Sequence, residues 1–399
     1  MNTLHTLAPA QSHTPTIVFV DDEEEILFAL RGLFRKEPYR ISYFTSGQAA
    51  LDFLAQNEAD VIVSDMRMPE MSGTELLEKS ARINPRAFRM ILSGCEEKSI
   101  VLNALSQGFA EHYIMKPWSD DDLRATIRAA VSLQRKLKQQ RLLEILSSHK
   151  SLPSPPRLHM RLLDLLKENH SQAQVADELE KHPALVAKLL HIANSVFYSV
   201  RNPVTSVHTA ITFIGIDEVV NIVLGFEAFH NINKSSDAWV IQRLEQQWDM
   251  SVRRAQVARL IAAQWPVKID VQEPYTAALM LDVGLVLRFC SAPGLFHEFE
   301  SSQRNDHENP IAREEQFFGT NHAELSAAIL TYWNFPASLV AAVANQHAHA
   351  GESEATLVTQ IASVLVDGRN GYPYDPRVDA AIPEFQQIAF PESLSNTTS

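Results

Sequence analysis

The first third of the chain alternates between short apolar runs and amphipathic stretches. The apolar runs are Thr16–Val20, Ile41–Phe44, Val61–Ser64, Arg89–Leu92 and His112–Met115. Between them, Ile26, Leu27, Leu30, Leu33 and Phe34 fall at helical spacing, as do Ala50, Leu51, Phe53 and Leu54. Five strands with intervening helices predict an open, doubly wound parallel sheet. Ile17–Val20 and Val61–Val63 are continuously apolar rather than alternating, as expected of strands covered on both faces.

From Asp120 to His149 the pattern is one long helix, free of glycine and proline. Ser119 is a suitable N-cap, and Asp120, Asp121 and Asp122 suit the positive end of the helix dipole. Its later half carries Arg135, Lys136, Lys138, Arg141 and Lys150 against Glu144, which reads as a solvated face rather than a nucleic-acid contact. Leu133, Leu137, Leu142 and Ile145 offer a short pairing seam, so a homodimer through this helix is an expectation. Three prolines within Ser151–Pro156 end the helix. From Arg157 to Asp367 the periodicity is helical throughout. The expected organisation is multidomain: an α/β domain over 14–134, a linking helix over 119–150, an all-α domain over 151–367, and a partly disordered, frayed tail over 368–399.

Composition narrows the picture. At 399 residues the chain exceeds one ordinary core, and 13 glycines suit a helix-rich architecture. The formal net charge of -13 weighs against a broad nucleic-acid footprint. Two cysteines, Cys95 and Cys290, are no disulfide framework and point to a reducing cytoplasm. The start, Met1 to Pro15, lacks the pattern of a secretory signal. No apolar run was found approaching the roughly 18–20 residues of a membrane span, so no membrane insertion is expected.

The candidate chemistry gathers at strand ends. Asp21 and Asp22 follow the first strand, Asp65 the third, Ser93 the fourth and Lys116 the fifth. In a parallel sheet these positions share the carboxyl edge, where ligands bind. Convergent carboxylates demand a cation, and a set of hard oxygens suits Mg²⁺. An Asp65 oxygen could then attack a phosphoryl group, with Lys116 and the Ser93 hydroxyl stabilising its oxygens.

These segments resemble the receiver domain of two-component response regulators. The resemblance rests on Val20-Asp21-Asp22-Glu23, on Ser64–Gly73 around Asp65, on Leu92-Ser93-Gly94, and on Tyr113–Pro117 around Lys116. It implies that Asp65 accepts phosphoryl from a sensor histidine kinase. It also implies that Asp21, Asp22, Asp65 and the main-chain carbonyl of Arg67 hold Mg²⁺, that Ser93 and Tyr113 form a switch pair, and that the Lys116–Pro117 bond is cis. On this view phosphorylation draws in Ser93, Tyr113 turns inward, and the pairing of the Asp120–His149 helix changes.

The second domain resembles the HD-related output domain, HDOD, a relative of HD-type metal phosphohydrolases. The resemblance rests on Leu152-Pro153, His182–Ser195, Ser206–Gly215 and His322-Ala323-Glu324. Set against the catalytic HD pattern, Met250 and Leu281 stand where metal-binding histidines are expected, and Leu285 where the HD-GYP class carries lysine; Asp282 survives. Neither side chain is a ligand for a hard cation. No metal is expected here. His322 reads as a capping or packing residue, and His347 and His349 as part of a polar helix end. The leading expectation is a non-enzymatic output domain that binds a downstream protein or a nucleotide or other small ligand. An HD-type cyclic-dinucleotide phosphodiesterase and a DNA-binding regulator are the alternatives.

Overall fold

The computed structural model describes residues 14–94, 98–139, 171–196, 203–216, 219, 222, 238–302, 309–348, 353–368 and 372–389. Its packing divides the chain into two compact units, Met1–Glu97 with His112–Arg135, and Lys98–Glu111 with Lys136–Ser399.

The first unit holds strands β1 (Thr16–Val20), β2 (Arg40–Phe44), β3 (Val61–Asp65), β4 (Phe88–Ser93) and β5 (His112–Met115). They form one sheet in the order β2-β1-β3-β4-β5, and every pairing is parallel. The register sets Val20 beside Ser64, Asp65 beside Leu92, and Ser93 beside Met115, which aligns the carboxyl ends of four strands. β1 and β3 are buried along their whole length, as their unbroken apolar runs required. Helices α1 (Glu24–Phe34), α2 (Gly47–Leu54), α3 (Gly73–Ile83) and, as far as Arg135, α5 (Asp120–Gln139) complete this unit. Ser46 and Ser72 cap α2 and α3 by accepting the amides of Ala49 and Glu75. The Ser119 hydroxyl accepts the Asp122 amide at 3.4 Å, and the three aspartates occupy the first turn of α5. The remainder of the expected linking helix, the proline cluster and the pairing seam beyond Gln139 lie outside the described residues.

The segment 98–111, with helix α4 (Lys98–Ser106), groups with the second unit by its contacts. Two buried side chains there satisfy its carbonyls: the Lys188 ammonium donates to Leu105 O at 3.0 Å and the Ser195 hydroxyl to Glu111 O at 3.1 Å.

Described further helices of the second unit are α6 (Gln172–Leu179), α7 (Pro183–Val196), α8 (Val207–Ile214), α9 (Ala238–Ala263), α10 (Gln272–Met280), α11 (Val283–Ser291), α12 (Pro293–Ser301), α13 (Pro310–Phe318), α14 (His322–Tyr332), α15 (Ala337–Ala344), α16 (Glu354–Asp367) and α17 (Pro376–Ala389). α10, α14 and α16 are buried nearly all round, which makes them the centre of this core. Gly284 lets α11 approach α14: a Cβ there would lie 2.7 Å from the Ser326 amide nitrogen and 2.8 Å from His322 O. Two sequence expectations change. The stretch Gln272–Ser291 is long and apolar enough by composition to cross a membrane, with a mean hydropathy of 1.2, yet 83% of that window is buried in the core. The segment after Gly368 contains α17, whose Val378 and Phe385 are buried; 390–399 lie outside the described residues.

Candidate functional site

The carboxyl edge of the sheet brings Asp21, Asp65 and Lys116 together. Asp21 is 1% and Asp65 7% exposed. The Lys116 ammonium donates to Asp21 Oδ2 at 2.9 Å and to Asp65 Oδ1, so one cation bridges both acids. Their remaining oxygens accept main-chain amides: Asp21 Oδ1 from Glu23 at 3.0 Å, Asp65 Oδ2 from Arg67 at 2.7 Å. Burial drives the Asp21 carboxyl above the usual range, and the Lys116 contacts offset only part of that. Burial pushes Lys116 down, but its bonds to Asp65 and Asp21 outweigh it, and the ammonium is held above its ordinary value. The Lys116–Pro117 bond is cis, as expected.

Backbone contacts hold Asp65 in place. Met66 N donates to Leu92 O and Gly73 N to Met66 O, both at 2.9 Å. Gly73 is required by space, since a Cβ would fall 1.9 Å from Asp65 O. In the sequence, the signal for this role is a glycine that opens a helix just after the acid.

Asp22 is not drawn into this cluster; it is exposed. Among the described residues no group of three histidine, cysteine or acidic side chains is set to hold a metal. The donors that do converge are the carboxylate oxygens of Asp21 and Asp65, with Lys116 as the positive charge between them. Hard oxygens around a positive charge fit Mg²⁺. Ser93 is 1% exposed, at the end of β4. The Tyr113 hydroxyl donates to Ser93 O at 3.3 Å and its ring is already buried. The Ser93 carbonyl thus gives the Tyr113 hydroxyl a buried partner.

The second unit holds a polar cluster that the sequence did not assemble. Asp282 is buried; its Oδ2 accepts from Arg254 Nη2 at 2.5 Å and from Gln247 Nε2 at 2.8 Å. Arg254 Nε lies 2.6 Å from Asp367 Oδ2. His322 Nδ1 meets Glu314 Oε1 at 2.9 Å, and its Nε2 lies 3.1 Å from His347 Nε2 and 3.8 Å from Asp282 Oδ1. Arg288 Nη1 bonds Glu314 Oε2 at 3.2 Å, and Tyr372 stacks on His347 with ring centroids 4.2 Å apart. His347 thus sits in a buried cluster rather than on a polar helix end, because the chain after α15 turns it onto His322; His349 lies outside the described residues. Burial pushes the His347 imidazole down to about 3. Burial also opposes charge on His322, but Glu314 prevails and raises it. Burial raises the Asp367 carboxyl to about 6, while Arg254 and His322 overcome burial to hold Asp282 low. Leu281 is fully buried and Met250 is half-buried on α9.

Comparison with known proteins agrees with both resemblances. Residues 17–128 match the response regulator receiver domain and 152–349 match the HDOD domain. The response regulator protein TmoT of Ectopseudomonas mendocina is 30% identical over 172 residues, 43% of this chain and 76% of that one. The hydrogenase transcriptional regulatory protein HoxA of Cupriavidus necator is 32% identical over 119 residues, 30% of this chain and 24% of that one. The match thus spans about a quarter of the HoxA length. Among solved structures, the MmoQ response regulator of Methylococcus capsulatus str. Bath is similar at 24% identity over 59% of this chain and 93% of that one, with a TM-score of 0.47.

Proposed function

The chain belongs to the response regulators, with a receiver domain followed by an HDOD domain, and on that premise we propose that Asp65 accepts phosphoryl from a sensor histidine kinase and thereby controls the HDOD domain. The observation that carries this reading is the sharing of one ammonium, that of Lys116, by Asp21 and Asp65 at the carboxyl edge of the sheet. In the transfer, an Asp65 oxygen forms the new bond to phosphorus. The bond from phosphorus to the kinase imidazole nitrogen breaks, and that nitrogen keeps the electron pair. Lys116 moves from neutralising two carboxylates to neutralising the phosphoryl oxygens. The Arg67 amide holds the acceptor carboxylate in orientation. Receiver domains generally use Mg²⁺; here Asp21, Asp22, Asp65 and the Arg67 carbonyl would hold it, and it would neutralise charge on the transferring group. Ser93 and Tyr113 would read the phosphorylated state.

The HDOD domain acts on this reading as a binding module for a protein or small ligand and carries out no phosphohydrolysis. Met250 and Leu281 support this, because neither can replace an imidazole ligand. The test is phosphotransfer from a phosphorylated histidine kinase, followed by capture with the phosphorylated chain. Wild type should take up phosphoryl that alkali and hydroxylamine release, as from an aspartyl phosphate, and Asp65→Asn should take up none. Uptake by Asp65→Asn equal to wild type, or hydrolysis of a cyclic dinucleotide by the wild-type chain, would overturn the respective halves of the proposal.

A further inference from the structure

Three carboxylates and two imidazoles converge inside the second unit: Asp282, Glu314, Asp367, His322 and His347. Buried carboxylates require a compensating cation, and here it is guanidinium. Arg254 is 5% exposed and spans two of the acids, Asp282 through Nη2 and Asp367 through Nε. Arg288 serves the third, Glu314.

A second observation concerns the other side of Asp282. Its Oδ1 lies 3.8 Å from His322 Nε2, and His322 Nε2 lies 3.1 Å from His347 Nε2. Nitrogen and oxygen ligands at about 2.0–2.2 Å from one tetrahedral ion stand roughly 3.3–3.6 Å from each other. Each of these two separations, both measured from His322 Nε2, lies within a few tenths of an ångström of that spacing. The orienting contact such a site needs is also present, since Glu314 accepts from His322 Nδ1 and fixes Nε2 toward His347. Tyr372 stacked on His347 closes the far side.

We propose that the guanidinium of Arg254 occupies the role of a divalent metal in this cluster, and that shortening Arg254 converts Asp282, His322 and His347 into a site for a borderline ion such as Zn²⁺ or Co²⁺. With Arg254 present, Asp282 is already neutralised, a positive group faces any incoming ion, and the two imidazoles share a proton instead of a metal. On the resemblance to the HD pattern, Met250 and Leu281 would account for missing ligands; Arg254 accounts for the missing charge. The inference rests on the reading that this domain is not a metal-dependent hydrolase, and extends it to the residue that takes over the ion's electrostatic task.

The test is Co²⁺ titration of the full chain, read by visible absorption and by metal content after dialysis. Imidazole-ligated tetrahedral Co²⁺ absorbs far more strongly than an all-oxygen octahedral site, which separates this cluster from the receiver pocket. Wild type should show no intense band. Arg254→Ala should take up one equivalent with the intense band, and the double variant with His322→Ala should lose it. Arg254→Lys keeps the charge and should remain without the band. Should Arg254→Ala fail to fold alone, refolding with Zn²⁺ should restore its helical circular dichroism. An intense band in wild type overturns the proposal, as does Arg254→Ala that folds without metal uptake or stays unfolded with and without Zn²⁺. Hydrolysis of a cyclic dinucleotide by wild type would instead defeat the underlying reading of the domain, so the two failures are distinguishable.

Discussion

Replacing Gly73 with alanine should displace Asp65 at the carboxyl edge of the sheet, whereas the same replacement at Gly32 should stabilise the protein. A Cβ on Gly73 would sit 1.9 Å from Asp65 O, 2.9 Å from Asp65 C and 2.9 Å from Ser64 Oγ. Even close C···O contacts are about 3.3 Å, so the strand end or the start of α3 must move by roughly 1.4 Å. The movement is resisted on both sides: Gly73 N is bonded to Met66 O, and Met66 N to Leu92 O. Overpacking costs roughly 1–3 kcal/mol and one broken hydrogen bond about 1 kcal/mol more. The expected loss is about 3 kcal/mol, a large share of the roughly 5–15 kcal/mol of a typical domain. Gly32 lies within α1 and a Cβ there meets nothing within 4 Å. Alanine at Gly32 should therefore gain about 0.5–1 kcal/mol from helix propensity. Both variants restrict the unfolded chain alike, so their difference isolates the clash. Urea unfolding gives the stabilities, and phosphoryl uptake from a small-molecule phosphodonor reports the position of Asp65. A Gly73→Ala chain within about 0.5 kcal/mol of Gly32→Ala, or one phosphorylated at the wild-type rate, would refute the reasoning.

Lys116→Met removes the ammonium shared by Asp21 and Asp65; because the lysine side chain is 22% exposed, the stability lost without Mg²⁺ should be about 1–3 kcal/mol, below the full cost of breaking a buried pair. Added Mg²⁺ should recover more stability in this variant than in wild type, as thermal melting with and without the ion would reveal. His112 is buried and its imidazole is pushed down to about 4 from 6.5, so its neutral form is favoured by folding. A depressed value contributes stability above pH 6.5 that is lost as pH falls toward 4, about 2 kcal/mol of it by pH 5. His112→Asn should flatten that dependence in urea titrations at pH 7 and pH 5; an unchanged slope would show that the imidazole does not report burial. In the second unit, Asn194 donates to Leu190 O and Val204 O and accepts from Val204 N, all within 2.9–3.0 Å. Asn194→Ala would strand those buried groups and should cost about 2–4 kcal/mol in thermal or urea unfolding.

What the sequence determined by itself was local and periodic. Five apolar runs separated by helical stretches specify parallel strands, and the residue after each strand must lie at the carboxyl edge whatever the rest of the chain does. Asp21, Asp65, Ser93 and Lys116 were therefore legible from position alone, as was the capping role of Ser119. Which of the neighbours Asp21 and Asp22 is buried was not, because one step along the chain reverses which way a side chain faces, and only packing decides between them. The partner of the Tyr113 hydroxyl is likewise a carbonyl 20 residues away in sequence. In the helical unit, the sequence could show that Met250 and Leu281 are not histidines, but it could not bring Arg254 to Asp282 and Asp367, or His347 to His322. Those groups lie on or beside separate helices, up to 113 residues apart, with no shared period or motif. Their meeting is fixed by how α9, α11, α14 and α16 pack, since a charge becomes dependent on its partner only once the core has removed both from water.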